Sequence, residues 1–445
     1  MKRFCIMIAL LILSLCSCTS EPLTSLESGI ISNIPLEIRA EDINAKAALL
    51  TNTWSGPLGI YRVQNNLIYF YDYSSDTVIP LCNKPNCKHE GDDCNAYVPG
   101  SHWITGDSKF LYLYSADGKT APKIIQTNHD GTNRNDKAII SGNYSLLDGF
   151  KLDGLFCFCA QYAVEGKDSV EPITKMALLA VDTNTNTIKE IYSEEVDTSY
   201  SYKFLGVSTG NAIFQKMSET KPLTSYSQAA LDAEMNGHDC KIYSVELQSG
   251  IISELINDKS YNIDPVIMDA DKLYYHSRKD SQIKSYDLKT KKVNIITENL
   301  SGYIVFLDTP YVDGKLLFQK DNATTDAYAK PLKENETFYV NTNNGEIKKV
   351  AFMIDQGEGH KCPFLGFVGI TPDRFIVETE QSVDWSKVIT ESGIQMFPKD
   401  SIGKSVFGII RKDDFWQETY NFIAVEWFVS KDTGKEEGGI SYVTN

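Results

Sequence analysis

The sequence predicts an all-β chain folded as a single β-propeller, with seven four-stranded blades as the simplest count and six or eight as its neighbours. Three observations point there: a short strand–turn–strand unit recurs, its period is roughly 40 to 60 residues, and the chain holds 24 Tyr and 20 Phe, residues that suit pleated strands. The unit is cleanest at Ala177–Tyr192, ALLAVDTNTNTIKEIY, where an apolar run stops at an Asp, four small or polar residues turn, and a β-branched strand returns. In five copies the polar residue precedes the β-branched one by six positions: Asp72 to Val78, Asp182 to Ile188, Glu246 to Ile252, Asp287 to Val293 and Asn341 to Ile347. That is the register of a hairpin with a four-residue loop. The apolar residue before the polar one then faces the β-branched residue in a buried-type pair, and an Asp or Asn side chain can bond the turn backbone.

Taken in order, residues 1–17 read as a signal peptide. Lys2 and Arg3 precede an apolar stretch from Phe4 to Leu15, and the small Ser17 stands just before Cys18; the stretch is too short for a membrane span. Residues 18–50 read as a tether, polar over Thr19–Ala40, with a short helix over Glu41–Leu50. The propeller takes 51–445. Losing Lys2 and Arg3 moves the formal charge from −16 to −18, a sign that argues against a nucleic-acid partner, because phosphate binding needs a basic surface.

The polar hairpin residues fall at 72, 182, 246, 287 and 341, with a looser copy at Asn128 in IIQTNHDGTNR. Each period has an earlier strand: Phe110–Tyr114, Leu155–Cys159, Ala212–Lys216, Lys272–Ser277 and Lys315–Lys320. A seventh period uses Arg374–Thr379 and Val406–Arg411, and Asn421–Val429 with Gly439–Val443 are expected to return to the first blade and close the ring. Closure matters because open sheet edges invite aggregation. Between early strand and hairpin, four blades carry insertions: Gln161–Lys175, Met217–Asp239 with a short helix over Ser227–Asn236, Asp321–Glu336 and Glu380–Lys404. Connections of one class leave a propeller on one side, so these stack into one elaborated face, where binding usually resides. Tyr162, Tyr226, Tyr328 and Trp385 are its aromatic candidates; loops packing on one another are the alternative.

The segment LCNKPNCKHEGDDCNAY sets Cys82, Cys87, His89 and Cys94 in the order C-x4-C-x-H-x4-C. Three thiols and an imidazole can form a tetrahedral zinc shell, whereas an exported chain favours disulfides over thiolates. Three cysteines cannot all pair among themselves, so a disulfide leaves one free or reaching Cys157, Cys159, Cys240 or Cys362. Gly91, Asp92 and Asp93 supply the bend under either reading. No cofactor beyond a structural zinc is implied.

Leu15-Cys16-Ser17-Cys18 resembles the bacterial lipobox, which makes Cys18 the lipidated first residue of the mature chain. The lipobox, the cysteine segment and the YDLKTKK-type hairpins together resemble the uncharacterised propeller lipoproteins of firmicute cell surfaces. Leu273–Ile296, LYYHSRKDSQIKSYDLKTKKVNII, is also similar to the YWTD propellers of lipoprotein receptors and, more loosely, to TolB-type propellers, though Leu273-Tyr274-Tyr275 lacks the Trp and Asp of the YWTD name. The resemblance implies an extracytoplasmic propeller lipid-anchored to the cell membrane, and no known reaction.

Catalytic patterns are sparse. Gly206-Val207-Ser208-Thr209-Gly210 satisfies G-x-S-x-G, but that elbow needs a following helix and Asn211–Lys216 reads as a strand. Ser115–Thr120 falls one residue short of an Asp box. His89 is the histidine in a cluster; His102, His129, His238, His276 and His360 read as solvated or capping. Asp232 and Asp384 are the carboxylate pair a glycosidase-like propeller would use. The leading expectation is a non-enzymatic, lipid-anchored propeller that binds an extracellular protein or glycan through one loop-rich face, with a carbohydrate-active propeller as the alternative.

Overall fold

The computed structural model describes residues 48–425 and Trp427, apart from 166–171, 197–199, 219–239, 259–262, 301–303, 321–335, 391–392 and positions 119, 141, 153 and 358. Seven antiparallel sheets follow one another along the chain, each built on a four-stranded meander. Blade 1 is Thr53–Ser55, Gly59–Gln64, Leu67–Asp72 and Thr77–Pro80; blade 2 is Ser101–Gly106, Phe110–Ser115, Lys123–Asn128 and Asn135–Ile139. Blade 3 is Ser145–Lys151, Leu155–Val164, Ile173–Asp182 and Thr187–Glu195; blade 4 is Tyr200–Ser208, Asn211–Ser218, Cys240–Glu246 and Ile252–Asp258. Blade 5 is Ile263–Asp269, Lys272–Ser277, Gln282–Asp287 and Lys292–Thr297; blade 6 is Ile304–Val312, Lys315–Lys320, Glu336–Asn341 and Ile347–Lys349. Blade 7 is Gly369–Ile370, Arg374–Thr390, Gly393–Arg411 and Ile423–Val425, with an added hairpin Met353–Gly357 and His360–Pro363 on its long second strand.

All five hairpins have the expected register: Tyr71 opposite Val78, Val181 opposite Ile188, Val245 opposite Ile252, Tyr286 opposite Val293 and Val340 opposite Ile347. The fourth turn residue adopts a left-handed backbone in every copy, at Asp76, Asn186, Gly250, Lys291 and Gly345. The polar residue bonds the turn amides, as when Ser74 N–H donates to Asp72 Oδ1 at 2.9 Å and Thr290 N–H to Asp287 Oδ1 at 2.7 Å. Those N–H groups hold both carboxyls below the usual range. Only half of each pair is buried, however. Tyr71, Val181, Val245 and Val340 are inaccessible, whereas Ile252 and Val293 are 48% and 52% exposed, because the returning strand is the outermost of its blade and has no sheet beyond it.

The core is seven wedges, one between each pair of neighbouring blades. In LFCFCA of blade 3, Phe156, Phe158 and Ala160 pack toward blade 2 while Cys157 and Cys159 pack toward blade 4, so the run is apolar on both faces as a doubly covered strand requires. The blade 6–7 wedge is aromatic: Phe352, Phe364, Phe367, Phe375 and Phe415 meet there, Phe367 stacking on Phe375 at 3.9 Å. Phe415 arrives on the short helix Lys412–Trp416.

Three expectations are corrected. Ile423–Val425 pairs with Phe407–Ile409 and completes the seventh blade rather than the first; Gly439–Val443 lies outside the described residues. Among the described residues the first and last blades are joined by side chains. Ile60 and Tyr71 of blade 1 pack with Ile376, Ile409 and Trp427, and Arg374 donates to Asp76 Oδ2 at 2.9 Å and to the Tyr73 carbonyl at 3.1 Å. Second, Ala48–Leu49, placed in the helix over Glu41–Leu50, is a strand on the inner edge of blade 3; 41–47 lies outside the described residues. Third, much of Gln161–Lys175 and Glu380–Lys404 is paired strand, not loop.

Candidate functional site

Two places gather the residues singled out in the sequence. The first is the connection from the outer strand of blade 1 to the inner strand of blade 2. Leu81, Cys94, Ala96 and Val98 are buried in the blade 1–2 wedge beside Tyr61, Ile68, Ile104 and Leu113, with Cys82 and Cys87 packed against them. Hydrogen bonds fix the segment to the second-to-third-strand turn and third strand of blade 1: Val98 N–H donates to Asn66 O at 2.7 Å, Ile68 N–H to Ala96 O at 2.8 Å and Gly100 N–H to Asn66 Oδ1 at 3.0 Å. From blade 2, Arg134 donates to the carbonyls of Tyr97 and Asn95, each at 2.5 Å.

Held this way, the intervening tight turn brings Cys82 Sγ, Cys87 Sγ, Cys94 Sγ and a ring nitrogen of His89 within 4.8 Å of one another. Asn86, His89 and Gly91 take left-handed backbone conformations, with φ of 59°, 59° and 78°, and these bends fold C-x4-C-x-H-x4-C onto one point. Cys94 Sγ lies 3.5 Å from His89 Nδ1. Cys82, Cys87 and Cys94 are free thiols. Backbone N–H groups point at the sulfurs: Lys84 and Asn95 at Cys82, His89 at Cys87 (3.4 Å), Ala96 and Tyr97 at Cys94. Burial opposes charge on Cys82, yet the N–H groups of Lys84 and Asn95, with the neighbouring thiols, bring it below the ordinary thiol range. Burial pushes Cys94 up to about 11. Cys157 and Cys159, free in the blade 3–4 wedge, are pushed by burial up to about 12, a setting for packing and not for reaction.

The second place is the face onto which second-to-third-strand connections open. In blades 1 and 5 the connection is short, Asn65–Asn66 and Arg278–Ser281. In blades 4 and 6 it spans 219–239 and 321–335, and in blades 3 and 7 the flanking strands themselves lengthen, to 10 residues each and to 17 and 19. Of the aromatic candidates, Tyr162 is half-buried and packs edge-on against Tyr144 at 5.2 Å. Trp385 lies opposite Pro398 in the blade 7 hairpin, its side chain outside the described residues, as are Tyr226, Tyr328 and Asp232. Asp384 shares that strand, its side chain likewise undescribed, and the pairing with Asp232 gains no geometry.

Ser208 ends the inner strand of blade 4, with Thr209 and Gly210 as the turn into the next strand, and donates a hydrogen bond to Asp271 of blade 5. It joins two blades and is not presented on a strand-to-helix elbow. His129 Nε2 donates to the Asp107 carbonyl at 2.9 Å beside Trp54 and Tyr61. His276, expected as solvated or capping, is fully buried with Nε2 donating to Leu300 O at 3.1 Å. Its burial was hidden because blade 5 is apolar on both faces over LYYHS, so no alternation marks the histidine's side.

One positional fact was beyond sequence reach. Ala48 and Leu49 pair with Lys151 and Phe150, Leu50 N–H donates to Gly149 O, and Thr51 bridges Ile104 of blade 2. The chain therefore enters along the inner edges of blades 3 and 2. Ala48 sits at the Lys151 end of its partner strand, beside the first-to-second-strand turn at Leu152 and Gly154, opposite the side on which the long connections open.

No family model matches this chain. No curated protein matches it either. Among solved structures it is similar to an oligogalacturonate lyase in complex with manganese, at 12% identity and TM-score 0.39, covering 68% of this chain and 78% of that one. It is similar to TolB from Acinetobacter baumannii at 13% identity and TM-score 0.31, covering 69% and 63%, and to puromycin hydrolase at 9% and 0.43, covering 84% and 60%. The chain thus spans less than two thirds of the latter two.

Proposed function

We propose that this chain is exported, lipidated on Cys18 and held at the cell membrane, where its propeller binds an extracellular protein or glycan without chemistry of its own. The long connections of blades 3, 4, 6 and 7 form the binding face. One observation carries the reading: Ala48 joins the disc on the side opposite those connections. An anchor on the preceding chain leaves the elaborated side turned away from the bilayer and open to a partner. Four enlarged connections of one class on an otherwise repetitive scaffold are the second support, because loops on a rigid frame are where binding is built. Among the described residues no helix is long and apolar enough to cross a membrane. In this reading the seat on the membrane is the lipid on Cys18, aided by the short tether.

Fluorophores placed at Ser75, in an outer turn of blade 1, and at Thr390, which pairs with Gly393 at the far end of the blade 7 hairpin, test the orientation. With the lipidated chain on a vesicle carrying a quenching lipid, Ser75 should be quenched more strongly; equal or reversed quenching refutes the outward face. Replacing 382–404 by a two-residue Asn-Gly turn should abolish retention on an immobilised cell-wall glycan or secreted-protein array while the fold persists. Release of product sugar from the glycan array would contradict binding alone.

A further inference from the structure

We propose that Cys82, Cys87, His89 and Cys94 bind one Zn²⁺ as a closed tetrahedral site that pins the connection between blades 1 and 2. Zinc bonds to sulfur and nitrogen of about 2.3 and 2.0–2.1 Å put tetrahedral sulfur–sulfur edges at about 3.8 Å and sulfur–nitrogen edges at about 3.5 Å. The four donor atoms lie within 4.8 Å of one another, and the Cys94 Sγ to His89 Nδ1 edge is already 3.5 Å. A contraction of at most about 1.0–1.3 Å at the widest edge completes the shell. Three soft thiolates and one imidazole select zinc over harder divalent ions.

The surroundings supply hydrogen-bond donors to all three sulfurs. Backbone N–H groups of Lys84, Asn95, His89, Ala96 and Tyr97 converge on the three thiols, the outer partners that thiolate ligands use. Arg134, fixed on the Tyr97 and Asn95 carbonyls, adds a positive charge near Cys94. A disulfide uses two of the three cysteines and leaves the third beside them. The other described cysteines lie far round the ring: Cys157 and Cys159 between blades 3 and 4, Cys240 between blades 4 and 5, and Cys362 against the blade 6–7 core. With four protein ligands and no open position the site is structural, not catalytic. It supplies order where the wedge is filled by irregular chain instead of strand.

The test uses the full chain carrying Cys18→Ala, purified without chelator. Elemental analysis should give close to one zinc per chain. Cobalt(II) exchanged into the site should give intense sulfur-to-metal charge-transfer absorption and the d–d bands of a tetrahedral ion. Cys157→Ser should keep that stoichiometry, while Cys87→Ser and His89→Ala should weaken zinc by more than the roughly 10–100-fold that loss of an outer partner costs. His89→Cys preserves four ligands and should retain the metal, which separates ligand loss from misfolding. Metal-free protein whose mass is lowered by the hydrogens lost in a disulfide would overturn the proposal. So would equal alkylation of Cys82, Cys87 and Cys94 with and without added zinc.

Discussion

Side-chain packing across the seam between blades 1 and 7 sets a quantitative expectation at Trp427. Its indole is 5% exposed, meets Tyr71 edge-on at 5.4 Å and fills the space over Gly369, where a Cβ would come within 2.7 Å of it. A buried Trp covers about 200 Å², which at about 25 cal/mol per Å² is about 5 kcal/mol. With partial collapse of the site, Trp427→Ala should cost about 3–5 kcal/mol. Arg374→Met removes the two bonds to blade 1 and should cost about 1–2 kcal/mol, moderated by exposure. Both changes act on one seam, so the double variant should depart from additivity by about 0.5 kcal/mol or more. Urea denaturation followed by far-ultraviolet circular dichroism gives the energies, and hydrogen exchange locates the loss. Amides of Gly59–Gln64 and Ile423–Val425 should lose protection before those of blades 3 to 5. A cost for Trp427→Ala under about 1 kcal/mol, with blade 1 protection unchanged, would mean that the ring is not closed by this packing.

Three further outcomes follow from buried or constrained groups. Burial first, then the nearby Arg278 charge, lowers His276 from the ordinary 6.5 to about 4. Between those values the unfolded chain takes up a proton that the native one refuses, so stability is full above 6.5 and falls toward pH 4. The loss is about 3 kcal/mol, and urea midpoints across that range should show His276→Gln losing this share of the slope; parallel curves would refute it. Gly345 has φ of 74° and a Cβ there would stand 2.2 Å from the Ile296 carbonyl, whereas Gly314, at φ 72°, has only Asn343 Nδ2 at 3.6 Å. Gly345→Ala should therefore cost about 2 kcal/mol or more against about 1 for Gly314→Ala, read as the difference in thermal midpoints. Cys157 and Cys159 should resist iodoacetamide in the native chain at mildly alkaline pH and react only on unfolding, as mass spectrometry would record.

The propeller was legible because its signals are local. An Asp six residues before a β-branched partner fixes a turn and a register within one hairpin, and Tyr71 to Val78 or Val340 to Ile347 needs nothing from the rest of the molecule. What joins the ends is not local. Arg374 finds Asp76 across 298 positions of the chain, and neither residue differs in sequence from an ordinary surface charge. Ala48–Leu49 is too short to show alternation, so its place at the hub could not be read. The cysteine segment lay between: spacing marked a tight cluster, but the choice between disulfide and metal depends on the amides of Lys84, Asn95 and Tyr97 and on the distance to every other cysteine. Of the aromatic face candidates Tyr162 packs its ring edge-on against Tyr144, and in sequence an aromatic residue in an extended hairpin looks alike whether it packs or is displayed.

Ala48–Leu49 runs antiparallel to Ser145–Lys151 at the hub, along a strand close to the disc axis. Tension reaching the molecule through the chain before Ala48 therefore loads the two paired residues and the Leu50 bond to Gly149 together in shear, in place of unzipping them one after another. Drag on a displayed partner would be borne at the centre of the wheel by blade 3, its two-sided apolar neighbour strands and the bridge to blade 2. The seam between the first and last blades stands outside that line of force.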